Sequence, residues 1–210
     1  MKAKHIKNII FDLGGVILDI DYHLTRDAFI ELGIKNFDEL YSQKKQDHLF
    51  DNFETGNISE DQFYNEIKKA SGIDLTNKEI EGAWNALLQT IPQKRILWLD
   101  DLKKEYRIFL LSNTNAIHIR AFTKYLHDSY GDDMLKEHFE KTYYSSEMGM
   151  RKPNADIFEH VLSDNKLKME ETIFIDDSVQ HVEGALAMGL KGILLNKGEK
   201  VESVLEQHLS

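Results

Sequence analysis

The sequence predicts an α/β protein, an open parallel sheet with helices on its faces and a small all-helical lobe spliced into it. Three observations carry this. Five short apolar runs, at 8–11, 107–111, 141–145, 172–175 and 192–195, are rich in Ile, Phe and Tyr, and helical patterns separate the later ones. The runs are apolar throughout rather than alternating, as strands covered on both faces are. The stretch between the first two is far longer than a βαβ crossover needs and carries only helix signals. The arrangement is Rossmann-like, with an insert.

The insert begins with an amphipathic stretch closed by Phe29, Leu32 and Ile34, with Gly33 expected as its C-cap. Ser59-Glu60-Asp61-Gln62 and Thr76-Asn77-Lys78-Glu79 both have the capping-box form. The first opens a run with Phe63, Tyr64 and Ile67, the second a run with Ile80, Ala83, Trp84, Leu87 and Leu88. Gly56 and Gly72 fall in the breaks, and Pro92 opens a helix leading back to the second strand. The expected division is an α/β core of residues 1–18 and 92–210 and a helical cap of residues 19–91. The crossings at Asp19–Asp21 and Ile91–Pro92 would be its hinges. Trp84 and Trp98 are expected in packing.

A chain of 210 residues buries about 70% of its unfolded surface and needs no cross-link to fold. It has no cysteine, which removes thiolate nucleophiles, Cys-ligated zinc, iron–sulfur clusters and disulfide scaffolds. With 26 basic against 36 acidic side chains, the net charge is −10 and there is no basic block. That argues against nucleic-acid and anionic-membrane partners. Residues 1–7 are basic before an apolar stretch, but Asp12 interrupts it and no small-residue cleavage site follows. No run approaches a membrane span, so a cytoplasmic protein, monomer or homodimer, is the expectation.

The strand ends carry the chemistry. The first runs into Asp12, the second into Ser112 and Asn113, the third into Ser145 and Ser146, the fourth into Asp176-Asp177. In an open parallel sheet these carboxyl ends share one edge, where ligands bind. Acids crowded there repel unless a cation sits among them, and oxygen donors without His or Cys favour Mg²⁺ over zinc or copper. Lys152, in Gly149-Met150-Arg151-Lys152-Pro153, lies in a loop from which it can reach back over the edge. Carboxylates, a metal, a lysine and a hydroxyl are the equipment for moving a phosphoryl group through an aspartyl phosphate.

Taken singly, each residue has a plainer reading. Asp12 fits a turn before Gly14-Gly15. Asp176-Asp177 fits an acidic helix start with Ser178 as cap. Ser112 and Asn113 fit caps for the helix containing Ile117 and Ile119, and Lys152 fits a solvated loop. Asp100-Asp101 reads as a solvated helix face and Asp132-Asp133 as the start of a short surface helix. The nine histidines show no metal-ligand spacing, and none is assigned to metal.

Four motifs in order resemble the haloacid dehalogenase-like hydrolases, on the phosphatase branch with a helical cap after the first motif. They are Ile10-Phe11-Asp12-Leu13-Gly14-Gly15-Val16, Leu110-Leu111-Ser112-Asn113-Thr114-Asn115, Gly149-Met150-Arg151-Lys152-Pro153 and Phe174-Ile175-Asp176-Asp177-Ser178. The resemblance implies Asp12 as nucleophile and metal ligand, and Ser112, with Asn113 beside it, on the transferring phosphoryl group. It implies Lys152 bridging nucleophile and phosphate, and a Mg²⁺ site of Asp12, the Gly14 carbonyl and Asp177, with Asp176 as its neighbour or co-ligand. The substrate implied is a small phosphorylated metabolite. The run through Val16-Ile17-Leu18-Asp19-Ile20-Asp21 and Ser112-Asn113-Thr114-Asn115 resemble bacterial phosphatases of sugar 1-phosphates.

One position departs from the pattern. Most phosphatases of this superfamily carry a second aspartate two positions after the nucleophile, to protonate the leaving group. Gly14 stands there. General acid–base help is worth about 10²–10⁴-fold. Either Asp19, Asp21 or His23 supplies it from the start of the cap, or the leaving group needs little help, as an anomeric, aryl or acyl oxygen would. Two other functions compete. One is 2-haloacid dehalogenation on the same scaffold, which needs no metal; the other is a phosphometabolite-binding module that Gly14 has deprived of turnover.

Overall fold

The computed structural model describes residues 6–46, 48–131 and 134–209. Strand β1 (Asn8–Phe11) is followed by helices α1 (Tyr22–Glu31), α2 (Phe37–Gln46), α3 (Leu49–Glu54), α4 (Glu60–Ser71), α5 (Asn77–Asn85) and α6 (Gln93–Leu102). The chain continues through β2 (Arg107–Ser112), α7 (Ala116–Tyr130), α8 (Met134–His138), β3 (Lys141–Tyr144), α9 (Ser145–Met148) and α10 (Ala155–Asp164). It closes with β4 (Thr172–Asp176), α11 (Val179–Ala187), β5 (Lys191–Leu194) and α12 (Val201–Leu209).

The five strands form one sheet in the order β3-β2-β1-β4-β5, every pair parallel. The apolar runs read as doubly buried strands because they are. Ile9, Phe11, Ile108, Leu110, Ile173 and Ile175 pack on one face with Phe122 and Leu126 of α7 and Val201 and Leu205 of α12. Ile10, Phe109, Leu111 and Phe174 pack on the other with Ile157, Phe158 and Val161 of α10 and Ala185 of α11.

Register levels the strand ends. Phe11 pairs with Leu110 on one side and Ile175 on the other, so Asp12, Leu111 and Asp176 stand side by side. Ser112 and Asp176 are the last strand residues rather than the first loop residues, one position beyond the predicted ends. Ser145, predicted to end the third strand, starts α9 instead. Asp132-Asp133 lie outside the described residues, as do residues 1–5 of the basic start.

Between β1 and α6 the helices α1–α5 gather around an apolar cluster of their own, containing Phe29, Phe37, Phe50, Phe53, Phe63, Ile80 and Trp84. Phe53 and Phe63 stack at 4.3 Å between ring centroids, and Phe63 is fully buried. Each such ring is worth roughly 1.5–3 kcal/mol in apolar burial. Both capping boxes are present, at Ser59–Gln62 and Thr76–Glu79. Leu32 holds the C-cap position of α1, with Gly33 next at φ +99°. The α7 residue Ile117 joins this cluster, so the helical lobe packs on the core. Arg120 of α7 bonds Glu60 at 2.8 Å and Glu81 at 3.0 Å from below.

The two chain crossings run side by side. Ile20 and Leu88 form an antiparallel bridge, Asp19 N–H donates to Thr90 O at 3.0 Å and Asp21 N–H to Leu87 O at 2.9 Å. Arg95 of α6 ties the first crossing to the core, donating to Ile17 O at 2.7 Å and to Asp19 Oδ1 at 2.8 Å. No helix among the described residues is long and apolar enough to cross a membrane.

Candidate active site

The edge holding the strand ends opens into a cavity of about 680 Å³ between the sheet and the helical lobe, bordered by Asp12, Gly14, Ser112, Asn113, Asp177 and His181. Behind Asp12 lies Lys152. Its side chain is wholly buried, and Nζ donates to Asp12 Oδ1 at 2.7 Å, Asp176 Oδ2 at 2.6 Å and Leu111 O at 2.9 Å. One ammonium thus spans the ends of three adjacent strands, β2, β1 and β4, which the register alone makes possible.

Asp12, Asp176 and Asp177 each offer an oxygen, and these atoms lie within 4.8 Å of one another. Asp177 reaches that position beside Gly15, whose φ is +76°; a Cβ on Gly15 would run into Asp177 Oδ2. Only glycine suits both the backbone angle and the contact. Three carboxylates against one ammonium leave an excess of negative charge, with Asp12 and Asp176 buried and Asp177 exposed. Burial pushes the Asp12 carboxyl up to about 7, with Lys152 pulling it down and Asp176 and Asp177 pushing it further up. At Asp176 burial also pushes up, but Lys152 and His181 outweigh it and hold the group at about 2. Burial lowers the Lys152 ammonium, and Asp12 and Asp176 more than compensate, so it stays charged. A hard divalent cation suits this all-oxygen set and its excess charge.

Asn113 is turned differently from expectation. Its side-chain amide donates to Lys152 O at 2.9 Å and accepts from Lys152 N–H at 3.0 Å, fixing the lysine loop, although the residue still borders the cavity. The cap of α7 is Asn115, not Ser112 or Asn113, through a bond from His118 N–H to Asn115 Oδ1 at 3.1 Å. Ser178 stands at the N-cap of α11 without a side-chain bond; its N–H goes to Asp176 Oδ1 at 2.8 Å.

Two of the three acids considered for the leaving group are engaged elsewhere. Asp19 pairs with Arg95, and Asp21 caps α1 by accepting from His23 N–H at 3.0 Å. His23 borders the cavity. The space above Gly14 is taken by Ile20, whose Cδ1 would stand 3.2 Å from a Cβ there.

Three residues at the cavity escaped the sequence reading. His181 bonds Asp176. Tyr22, at the first turn of α1, borders the cavity, and enclosure there together with Asp177, Asp12 and Glu54 pushes its phenol up. His118 stacks on Trp84 at 5.2 Å, donates from Nε2 to Trp84 O at 3.1 Å and accepts at Nδ1 from Asn115 at 3.1 Å. A second proton on that ring would face the Asn115 amide hydrogens.

Burial holds His118 down to about 4, against 6.5 in an unfolded chain. Between those values the unfolded state binds more protons, so stability falls as pH drops from 6.5 towards 4, and the effect is absent above 6.5. The loss from pH 7 to pH 5 is about 2 kcal/mol. Denaturant unfolding at the two pH values should show it, and His118→Gln, which keeps a donor for Trp84 O, should remove it.

The haloacid dehalogenase-like hydrolase profile matches residues 6–189. The D-ribitol-5-phosphate phosphatase of Bacteroides thetaiotaomicron is 32% identical over 186 residues, covering 89% of this chain and 90% of that protein. The crystal structure of BT-2542 from the same organism, in complex with magnesium and inorganic phosphate, superposes with a TM-score of 0.83. It is 34% identical, with 93% of this chain and 96% of that chain covered. A predicted hydrolase of this family from Porphyromonas gingivalis gives 0.86 at 32% identity, covering 98% of each chain. The chain belongs to the haloacid dehalogenase-like hydrolase family.

Proposed function

We propose that the chain hydrolyses the phosphate monoester of a small, uncharged, hydroxyl-bearing metabolite, with Asp12 as nucleophile. The observation that carries this is Lys152, buried and bonded at once to Asp176 and to Asp12, which borders the cavity. The Asp12 carboxylate attacks phosphorus and the bond to the leaving oxygen breaks, giving an aspartyl phosphate; water then releases inorganic phosphate and restores the carboxylate. Lys152 offsets the charge on nucleophile and phosphoryl oxygens, and Ser112, at the mouth of β2, binds those oxygens. Asp12, Asp176, Asp177 and the Gly14 carbonyl would hold Mg²⁺, which supplies Lewis-acid charge neutralisation.

The far wall supports an uncharged substrate tail. Both arginines that border the cavity already face carboxylates, Arg26 with Asp38 at 3.2 Å and Arg151 with Asp51 and with Glu54 at 3.0 Å. A second anionic group would find no surplus positive charge there. Gly14, covered by Ile20, favours a leaving oxygen that departs without an acid, as in a sugar 1-phosphate. The named activity of the ribitol-phosphate relative favours a second reading, a polyol phosphate with an ordinary alkyl ester.

Phosphate release should be followed with Mg²⁺ and then with chelator, on glucose 1-phosphate, glucose 6-phosphate, ribitol 5-phosphate, acetyl phosphate, an aryl phosphate and a hexose bisphosphate. We expect release only with Mg²⁺ and kcat/KM at least about tenfold higher for the 1-phosphate than the 6-phosphate, the low end of the acid–base contribution. The bisphosphate should be poor. A flat or reversed ratio overturns the leaving-group argument, and a maximum at ribitol 5-phosphate selects the second reading. No release from any ester by Mg²⁺-bound protein returns the chain to a binding module.

A further inference from the structure

We infer that His181 is a positioning residue that holds Asp176, and through Asn113 the Lys152 loop, in the geometry that binds Mg²⁺ and the phosphoryl group. This rests on the phosphatase reading of the site. His181 Nδ1 lies 3.1 Å from both carboxylate oxygens of Asp176, and Nε2 lies 3.4 Å from Asn113 Nδ2. Asn113 in turn grips the Lys152 backbone through both its amide atoms, and Lys152 Nζ returns to Asp176 Oδ2 at 2.6 Å. Four residues from three separate segments of chain close a ring.

The ring fixes which nitrogen carries the proton. A carboxylate only accepts, so Nδ1 donates to Asp176; Nε2 then presents a lone pair to the Asn113 N–H. Asp176 is fully buried and takes its other bonds from Lys152 Nζ and Ser178 N–H. Without the imidazole, Oδ1 keeps only the Ser178 N–H and Oδ2 only Lys152 Nζ, so the carboxylate is held less firmly. The helix is pressed into place from the next turn. A Cβ at Gly184 would run into Pro153 O, so glycine there lets α11 close on the lysine loop and sets His181 against Asp176. Partners that orient a metal ligand from behind are worth about 10–100-fold in metal affinity or activity.

Three variants separate the bonds. His181→Asn places an amide nitrogen about where Nδ1 stands, keeping the Asp176 bond and losing that to Asn113. His181→Gln reaches towards the Nε2 position and loses Asp176. His181→Leu removes both. Mg²⁺ affinity is read by calorimetry without substrate, and kcat and KM with an aryl phosphate; thermal midpoints check the fold. We expect the Leu variant to lose about 10–100-fold in Mg²⁺ affinity and in kcat, with KM within about threefold of the parent. The Asn variant should recover most of that affinity and the Gln variant should not.

Parental Mg²⁺ affinity and kcat in the Leu variant, or an Asn variant as impaired as Gln, overturns the proposal. Should Leu not fold, the Asn–Gln pair decides alone. A parent protein that binds Mg²⁺ yet releases no phosphate would sink the functional reading, while calorimetry on the variants would still decide the role of His181.

Discussion

Asp12→Asn is expected to lower phosphate release by about 10⁴-fold or more, the scale on which removing a nucleophile acts. The amide cannot form the acyl phosphate, and it removes the negative charge from one of the three groups gathered within 4.8 Å. The same change should raise stability when metal is absent. In the parent Asp12 and Asp176 share one buried ammonium with Asp177 close by, and neutralising Asp12 removes a charge that burial and its acidic neighbours disfavour. The measurement pairs turnover of an aryl phosphate with thermal unfolding in chelator. Residual turnover above about 1% of the parent, a loss of under about 10²-fold against the roughly 10⁴-fold expected, would place the nucleophile elsewhere. A lower midpoint in chelator would contradict the charge argument.

The second large effect is expected at Lys152. Lys152→Met keeps the length of the side chain and removes its charge from a place with no solvent access, where Nζ meets Asp12, Asp176 and the Leu111 carbonyl. Breaking a buried ion pair from one side typically costs about 3–5 kcal/mol. For a chain of this size that is a fall in midpoint of roughly 10 °C. Turnover should fall by about 10²–10³-fold or more, because a preformed donor at the phosphoryl oxygens is lost. Adding Mg²⁺ should restore part of the stability, since a cation among the same carboxylates offsets the same excess charge. A variant as stable as the parent in chelator would show that the lysine is not what holds these acids together.

How much of this the sequence makes legible follows from how local each signal is. The strands are readable because burial on both faces leaves an unbroken apolar run, and the site is readable because each run ends on a polar residue at the same edge. The capping boxes at Ser59 and Thr76 are contained in four residues each. His181 is not readable that way. It sits five positions after Asp176, a spacing with no metal-ligand meaning, and returns to the carboxylate only because the chain turns from β4 into α11 within two residues. The grip of Asn113 on the Lys152 backbone depends on how closely two loops approach, which neither loop encodes alone. Asp19 and Asp21 looked available as acids because their partners, Arg95 and the His23 amide, become visible only once the crossings are folded.

Those crossings have a consequence for how such a chain is assembled over evolutionary time. Because residues 19–21 and 87–90 leave and re-enter as a paired ribbon, the sheet meets the same short hairpin stem whatever is threaded onto its far end. A helical cassette of another length or shape can be exchanged there without altering a strand. Ile20 rides on that stem and covers Gly14. The apolar plug over the missing acid therefore belongs to the graft point rather than to the cassette, and would persist through a change of cap.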